Sequence, residues 1–249
     1  MPRFRHLVYL LLLSFPATAL LAENYWSKTD WHHWSKSDCI RMLSDSPWAQ
    51  VWGIGKSNLN HTLAAASGRS KLGVAGEQQE AVVYYIQFLS AAPVREALAR
   101  QDQLDKKYDK MTDEQKKAFD ADLNLKYFAT NYANVIAIHV IYDSNIEPFE
   151  RQLAQVWQSF PENSVPELTN LILEDGRRIA PVKFSSPKGA KDEFDLEFPR
   201  LVDGKPIIRP EDKTLGLEFF HPGITDFPRK RAYVVFTIPK MMVGNALVY

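Results

Sequence analysis

The run Val82-Val83-Tyr84-Tyr85-Ile86-Gln87-Phe88-Leu89 is apolar at consecutive positions rather than at alternate ones. Side chains along a strand point to opposite faces in turn, so a run of this kind asks for burial on both. Ala81 to Ser90 is therefore expected to be a central strand, with neighbours on each side and cover above and below. Val135 to Tyr142 has the same character and is expected to be a second buried strand. A chain of 249 residues is long enough to supply that cover from one large domain or two small ones.

The helices read from caps and spacing. Ser35 offers an N-cap with Asp38 three residues on, and Cys39, Ile40, Met42 and Leu43 supply an apolar side. Ser46-Pro47 can end this helix, because the residue before proline avoids the α region, or begin another turn. Trp48 to Ile54 then alternates as a strand. Pro93 sits where a first helical residue would, and Val94 to Leu104 follows as a helix. Thr112-Asp113-Glu114-Gln115 is a capping box that opens a helix to about Phe128, with Ala118, Phe119 and Leu123 on one side. Glu147 to Phe160 carries Phe149, Leu153, Val156, Trp157 and Phe160 at helical spacing.

After Pro161 the pattern becomes almost entirely β. Leu168 to Leu173, Arg178 to Phe184, Glu193 to Phe198, Thr214 to Phe220 and Ala232 to Ile238 read as strands, with Ala246 to Tyr249 as a short last one. Glu174-Asp175-Gly176 is a hairpin turn signal. The expectation is an α+β fold: a largely antiparallel sheet, about three main helices, and a β-rich C-terminal half compatible with a sandwich. Residues 23–249 are read as a single domain, since the buried strands need partners from the later ones. The alternative divides the chain into 23–161 and 162–249. Lys56 to Gln79 is rich in Gly, Ser, Ala and Asn and reads as a long loop.

The first residues carry an export pattern. Arg3, Arg5 and His6 precede the apolar run Leu7 to Phe15, which Pro16 and small residues then interrupt. That run is far shorter than the ~20 residues of a membrane-spanning helix. Cleavage after Ala22 or after Ala19 is expected, with 1–22 as the signal peptide and an uncleaved anchor as the alternative. The protein is then periplasmic or secreted, with no transmembrane span after leader cleavage. Lys and Arg number 30 against 30 Asp and Glu, so no global field holds nucleic acid. The single cysteine excludes an internal disulfide framework.

Familiar catalytic patterns are missing. Gly55-Lys56-Ser57 resembles the tail of a phosphate-binding loop, but Gln50 stands where that loop needs a glycine. Ser185-Ser186-Pro187-Lys188 has a Ser-x-x-Lys spacing that Pro187 keeps out of a helix. No Gly-x-Ser-x-Gly elbow and no His-Glu-x-x-His pair occur. Asp30, His32, His33 and Cys39 could meet around zinc, although two polar histidines in an aromatic loop is the plainer reading. His139 reads as a mid-strand residue, His221 as a loop residue, and Cys39 as a buried thiol. Glu193, Asp195 and Glu197 share one strand face at ~7 Å spacing, the pattern of an outer face. Asn60-His61-Thr62 matches a glycosylation sequon. No cofactor, metal or catalytic residue is assigned.

The tryptophans cluster instead. Trp26, Trp31, Trp34, Trp48 and Trp52 are five of the six, and Tyr25 lies among them. They form either a latch of indoles laid over the core or a platform for a sugar ring or a protein partner.

Trp34-x4-Cys39-x3-Leu43-x2-Ser46-Pro47-Trp48-Ala49 and Ala91-Ala92-Pro93-Val94-Arg95-Glu96-Ala97-Leu98 together resemble a group of exported bacterial proteins to which no activity is assigned. The resemblance implies a leader and a β-rich C-terminal half. It carries over no catalytic residue. The function expected is a non-enzymatic binding or structural module of the cell envelope, with an exported hydrolase as the alternative and a protein or envelope polysaccharide as partner.

Overall fold

The computed structural model describes residues 25–55, 81–161, 169–188, 192–225 and 227–249. Helix α1 (Tyr25–Lys28) and a 3-10 turn (Trp31–His33) lead into α2 (Lys36–Ser44) and strand β1 (Ala49–Gly55). Then come β2 (Ala81–Phe88), α3 (Ala92–Asp105) and α4 (Asp113–Leu123), which runs into a π turn at Asn124–Phe128. Strand β3 (Val135–Ser144) and helix α5 (Glu147–Ser159) follow. The rest is β: β4 (Asn170–Ile172), β5 (Arg178–Ile179), β6 (Lys183–Ser185), β7 (Glu193–Pro199), β8 (Leu201–Val202), β9 (Lys205–Pro206), β10 (Thr214–His221), β11 (Lys230–Thr237), β12 (Met242–Val243) and β13 (Ala246–Leu247). The α+β class, the antiparallel pairing and the β-rich C-terminal half agree with the sequence pattern.

Strand β2 is central, as its two-sided apolarity requires. The main sheet runs β1-β2-β3-β7-β6, every pair antiparallel. Because β3 pairs with β7, one sheet takes strands from both sides of Pro161. A second sheet, β11-β10-β4-β5, packs on one face of the first. Tyr84 and Phe88 of β2 meet Phe219 and Phe236 there, with ring centroids 5.2 and 4.7 Å apart. Helix α5 fills the rest of that layer through Trp157, 4.4 Å from Phe194, and Phe149, 5.3 Å from Phe227. The opposite face of β2 turns to the helices, where Gln87 Nε2 donates to the Leu43 carbonyl of α2 at 2.8 Å. The order of layers is helices, main sheet, second sheet.

One segment departs from expectation for a topological reason. Arg178 to Phe184 is not one strand. Arg178–Ile179 pairs with β4 in the second sheet, and Lys183–Ser185 pairs with β7 in the main sheet. Ala180-Pro181-Val182 carries the chain between them. The preceding turn is the one its residues suggest, with Gly176 at φ +83°, a conformation that favours glycine.

Local caps work as the sequence implies. Ser35 and Asp38 close a reciprocal capping box on α2, and Thr112 and Gln115 close one on α4. Ser46 ends α2 by donating from Oγ to the Met42 carbonyl at 2.7 Å, and it accepts from the Trp48 amide at 3.2 Å. That turn delivers Trp48 into the core, where it is fully buried. Its indole Nε1 donates to the Val248 carbonyl at 2.6 Å. Tyr249 is held beside it, with its ring under Arg200 at 4.2 Å and its hydroxyl donating to the Ile208 carbonyl. Helix α4 contrasts with the others, because Leu123 is its only buried residue. Capping and end contacts hold it, since it has almost no packed face.

Trp48→Ala is expected to cost about 3–5 kcal/mol of unfolding free energy, the range for a buried indole lost to a cavity. Trp31→Ala, at a half-exposed site, should cost well under half as much. Urea denaturation of both variants checks the contrast.

Candidate functional site

The five tryptophans separate into three environments. Trp34 and Trp48 are buried. Trp34 also donates from Nε1 to the Thr29 carbonyl at 3.0 Å. Trp26 lies edge-on to Trp48 at 5.6 Å and to Tyr25 at 5.1 Å. Tyr25 reaches Trp34 at 5.5 Å and accepts the Arg41 guanidinium over its ring. These rings form a continuous packed chain, which is the latch. Trp52 is half-buried between the sheets, 6.5 Å from Phe219 and 6.3 Å from His221. Trp31 differs. It is partly buried, like Trp52, but it lines a cleft of about 240 Å³.

That cleft is built where the 3-10 turn meets α3, α4 and the π turn. Trp31, His32, Gln103, Tyr108, Asp120, Leu123, Asn124 and Phe128 line it. Asp30 caps the turn by accepting from the His32 amide at 2.9 Å, and its Oδ1 also meets His32 Nδ1 at 2.6 Å. These two bonds hold the Asp30 carboxyl below its ordinary range. They also fix the imidazole, which stacks on the Trp31 indole at 3.7 Å. The opposite wall is Phe128, 6.0 Å from Trp31. Phe128 stands out because the last turn of the α4 segment widens to a π turn, closed by the Ala129 amide donating to the Asn124 carbonyl. Turns of this kind often mark functional sites. Lys126 and Tyr127 pin it to α3 by donating to Asp102 at 2.7 and 2.8 Å. Leu125 is left 71% exposed beside the cleft.

The floor is amphipathic. Tyr108 donates to Asp120 Oδ2 at 2.8 Å, and Gln103 Oε1 accepts from Arg100 at 3.0 Å. The Asn124 side-chain amide, His32 Nε2 and Asp120 Oδ1 have no protein partner among the described residues. A partly buried indole, a second aromatic wall and three polar groups without a partner among the described residues suit a small hydroxyl-bearing ring. Sequence reasoning found Trp31 but missed Phe128, Asn124 and Asp120. The capping box marked the start of α4, while nothing in the sequence marked the π turn at its end.

The remaining candidates are structural. Cys39 is buried, and burial pushes its thiol up to about 12, away from nucleophilic use. It is thus removed from Asp30 and His32. Among the described residues no three His, Cys, Asp or Glu side chains converge on a metal position. The carboxylate row on β7 is compensated by its neighbours. His139 Nδ1 meets Asp195 at 2.7 Å and its Nε2 meets Glu193 at 3.6 Å, while Lys183 meets Glu197 at 2.6 Å. Ser185 lies in β6, so Ser185 to Lys188 form no helical Ser-x-x-Lys site. His221 is no loop residue but the last of β10. It is buried between the sheets with Tyr84 Oη 2.8 Å from Nδ1, and burial lowers its pKa to about 4. The leader with both cleavage positions, Lys56, Ser57 and the Asn60 sequon lie outside the described residues.

One pair escaped sequence reasoning altogether. Asp143, at the end of β3, is pushed up to about 7 by burial, by its hydrogen bond to Glu150 of α5, and by that neighbour's charge, with Asp192 adding to it. Two carboxyls holding one proton are a recognised acid–base arrangement. They were invisible in sequence because only the turn into α5 brings positions 143 and 150 together.

Protein-family models, curated proteins and solved structures were all compared with the chain, and none matches it. The assignment of a site therefore rests on geometry and chemistry alone.

Asp143 binds its proton more tightly folded than unfolded, so its contribution to stability is present below about pH 4 and lost as pH rises through about 7. Asp143→Asn removes that dependence. The variant should gain stability relative to the parent between pH 5 and pH 8, as read from urea midpoints at both. An unchanged difference would show that the two carboxyls share no proton.

Proposed function

We propose that this protein is a non-enzymatic binding module of the bacterial cell envelope, and that its Trp31 cleft receives a sugar ring of an envelope polysaccharide. The observation that carries this reading is the pairing of two aromatic walls, the partly buried Trp31 and the exposed Phe128, with Asn124, His32 and Asp120 groups that have no partner among the described residues. Carbohydrates present apolar C–H faces and a rim of hydroxyls, and both halves have a counterpart here. A volume of about 240 Å³ suits one sugar unit with its neighbours lying outside. A protein partner is less well served, because the apolar surface is small for a protein interface.

The hydrolase reading draws support from Asp143 and Glu150 only. Their hydrogen bond brings the carboxyls into direct contact, whereas glycoside hydrolysis needs roughly 5 Å or more between them. A hydrolytic role there would concern a carbonyl substrate, and neither residue lines the Trp31 cleft.

The export pattern of Met1 to Ala22 supports an envelope location, and no described helix is long and apolar enough to cross a membrane. Expression with the natural N-terminus, followed by intact mass of the periplasmic fraction, should give a chain beginning at Glu23 or Leu20. Retention of Met1 would refute cleavage.

Fluorescence titration with soluble peptidoglycan fragments and envelope polysaccharides tests the cleft. Binding should perturb indole emission. Trp31→Ala and Asn124→Ala should each weaken it by about tenfold or more, the scale of one lost stacking or hydrogen-bonding contact. Binding that survives both substitutions would place the ligand elsewhere.

A further inference from the structure

The outer face of the second sheet carries a concentrated positive charge that the whole chain does not. Along β10 and β11 the register puts Gly216, Glu218 and Phe220 outward on one strand, and Arg231, Tyr233 and Val235 outward on the other. Glu218 is 3% exposed, yet it lies on the outer face because charged side chains close over it. Arg178 reaches it diagonally from β5 and bonds Oε1, while Arg231 reaches it from β11 and bonds Oε2. Asn170 Nδ2 donates to Oε1 as well, at 3.3 Å. One buried carboxylate thus holds two guanidiniums side by side, each about half exposed.

That arrangement leaves charge over. Each guanidinium has five N–H donors, more than one carboxylate shared between two of them can take up. Arg229 stacks on the Phe220 ring at 4.9 Å, and neither it nor Lys230 has an acidic partner among the described residues. Arg178, Arg229 and Arg231 face one carboxylate, and the exposed Lys230, which starts β11 in register with His221, adds a fourth cation at the rim, so the described residues carry three positive charges net here (4 − 1). In the same face Tyr233 is 45% and Val235 41% exposed. Tyr233 lies flat over Gly216, where an added Cβ would stand 2.8 Å from its hydroxyl oxygen. The glycine lets the ring recline across the sheet. The face has an aromatic and an aliphatic side chain among cations contributed by both of its edge strands, β5 and β11.

We propose that this sheet face docks the protein on an anionic phospholipid surface. The two arginines held by Glu218, with Arg229 and Lys230, meet headgroup phosphates, and Tyr233 and Val235 enter the interface between them. Tyrosine is suited to the headgroup level, and cations near an anionic leaflet contribute additively. The docking face belongs to the second sheet, on the far side of the main sheet from the helices, so the Trp31 cleft stays open. The inference is independent of what that cleft binds.

Sedimentation of the full chain with vesicles tests it, using pure phosphatidylcholine and phosphatidylcholine in which about a third of the lipid is phosphatidylglycerol. The wild type should bind only the anionic vesicles and release as salt screens the charge. Arg178 and Arg231 are poor targets, because removing either strands a buried carboxylate. Arg229→Gln with Lys230→Gln breaks no ion pair among the described residues and should weaken binding roughly 30-fold, with an unchanged melting temperature. Lys110→Gln with Lys117→Gln removes the same charge on the helical side and should leave binding intact. Tyr233→Ser should weaken it further without altering the salt dependence. Equal binding to both vesicles, no binding to either, or equal losses in the two double variants would overturn the proposal. So would tight capture of soluble polyphosphate by a protein that ignores the vesicles.

Discussion

Everything in this fold follows from the need to cover β2 twice. A strand apolar on both faces is unstable at an edge or on a surface, and the chain answers with a layer on each side. The helical side is light: α2 packs on β1 and β2, α3 packs on α2, and α4 barely touches the sheet. The second side is heavy and aromatic. Phe219, Phe236, Trp157 and Phe194 meet the rings of β2 and β3 there. Rings of this size bury large areas and contribute more than their number suggests. The stable core therefore lies between the sheets, and the thinner helical layer is where the chain can keep a cleft open.

The core is not purely hydrophobic. Tyr84 and His221 hydrogen-bond at its centre, while His221 Nε2 and Tyr142 Oη have no partner among the described residues. Each unpartnered group costs about 1–3 kcal/mol when buried. His221 stays neutral because burial disfavours its charged form, and the site keeps its polarity without a charge. The carboxylate row on β7 is likewise partnered across the sheet, where His139 hydrogen-bonds Asp195 and Lys183 pairs with Glu197.

Much of this was legible in the sequence, and the reason is periodicity. The double-faced run of β2, the alternation of Glu193–Phe198 and the two capping boxes each state a local geometry that tertiary contacts then kept. What could not be read were features created by distant partners. His221 before Pro222 looks like a loop residue until Tyr84, 137 positions away, is placed against it. Arg178–Phe184 looks like one strand, because nothing in its residues says that the two ends join different sheets. The site was half legible for the same reason. Trp31 stood out by composition, but its partners Phe128 and Asn124 belong to a π turn, whose extra residue per turn has no simple sequence signature. The Glu218 centre was hidden as well, since Arg178 and Arg231 lie on separate strands.

The indole of Trp48 and the carbonyl of Val248 are 200 positions apart in sequence. The two segments that close this corner of the core are far apart in the chain, and both must be present before the indole finds its acceptor.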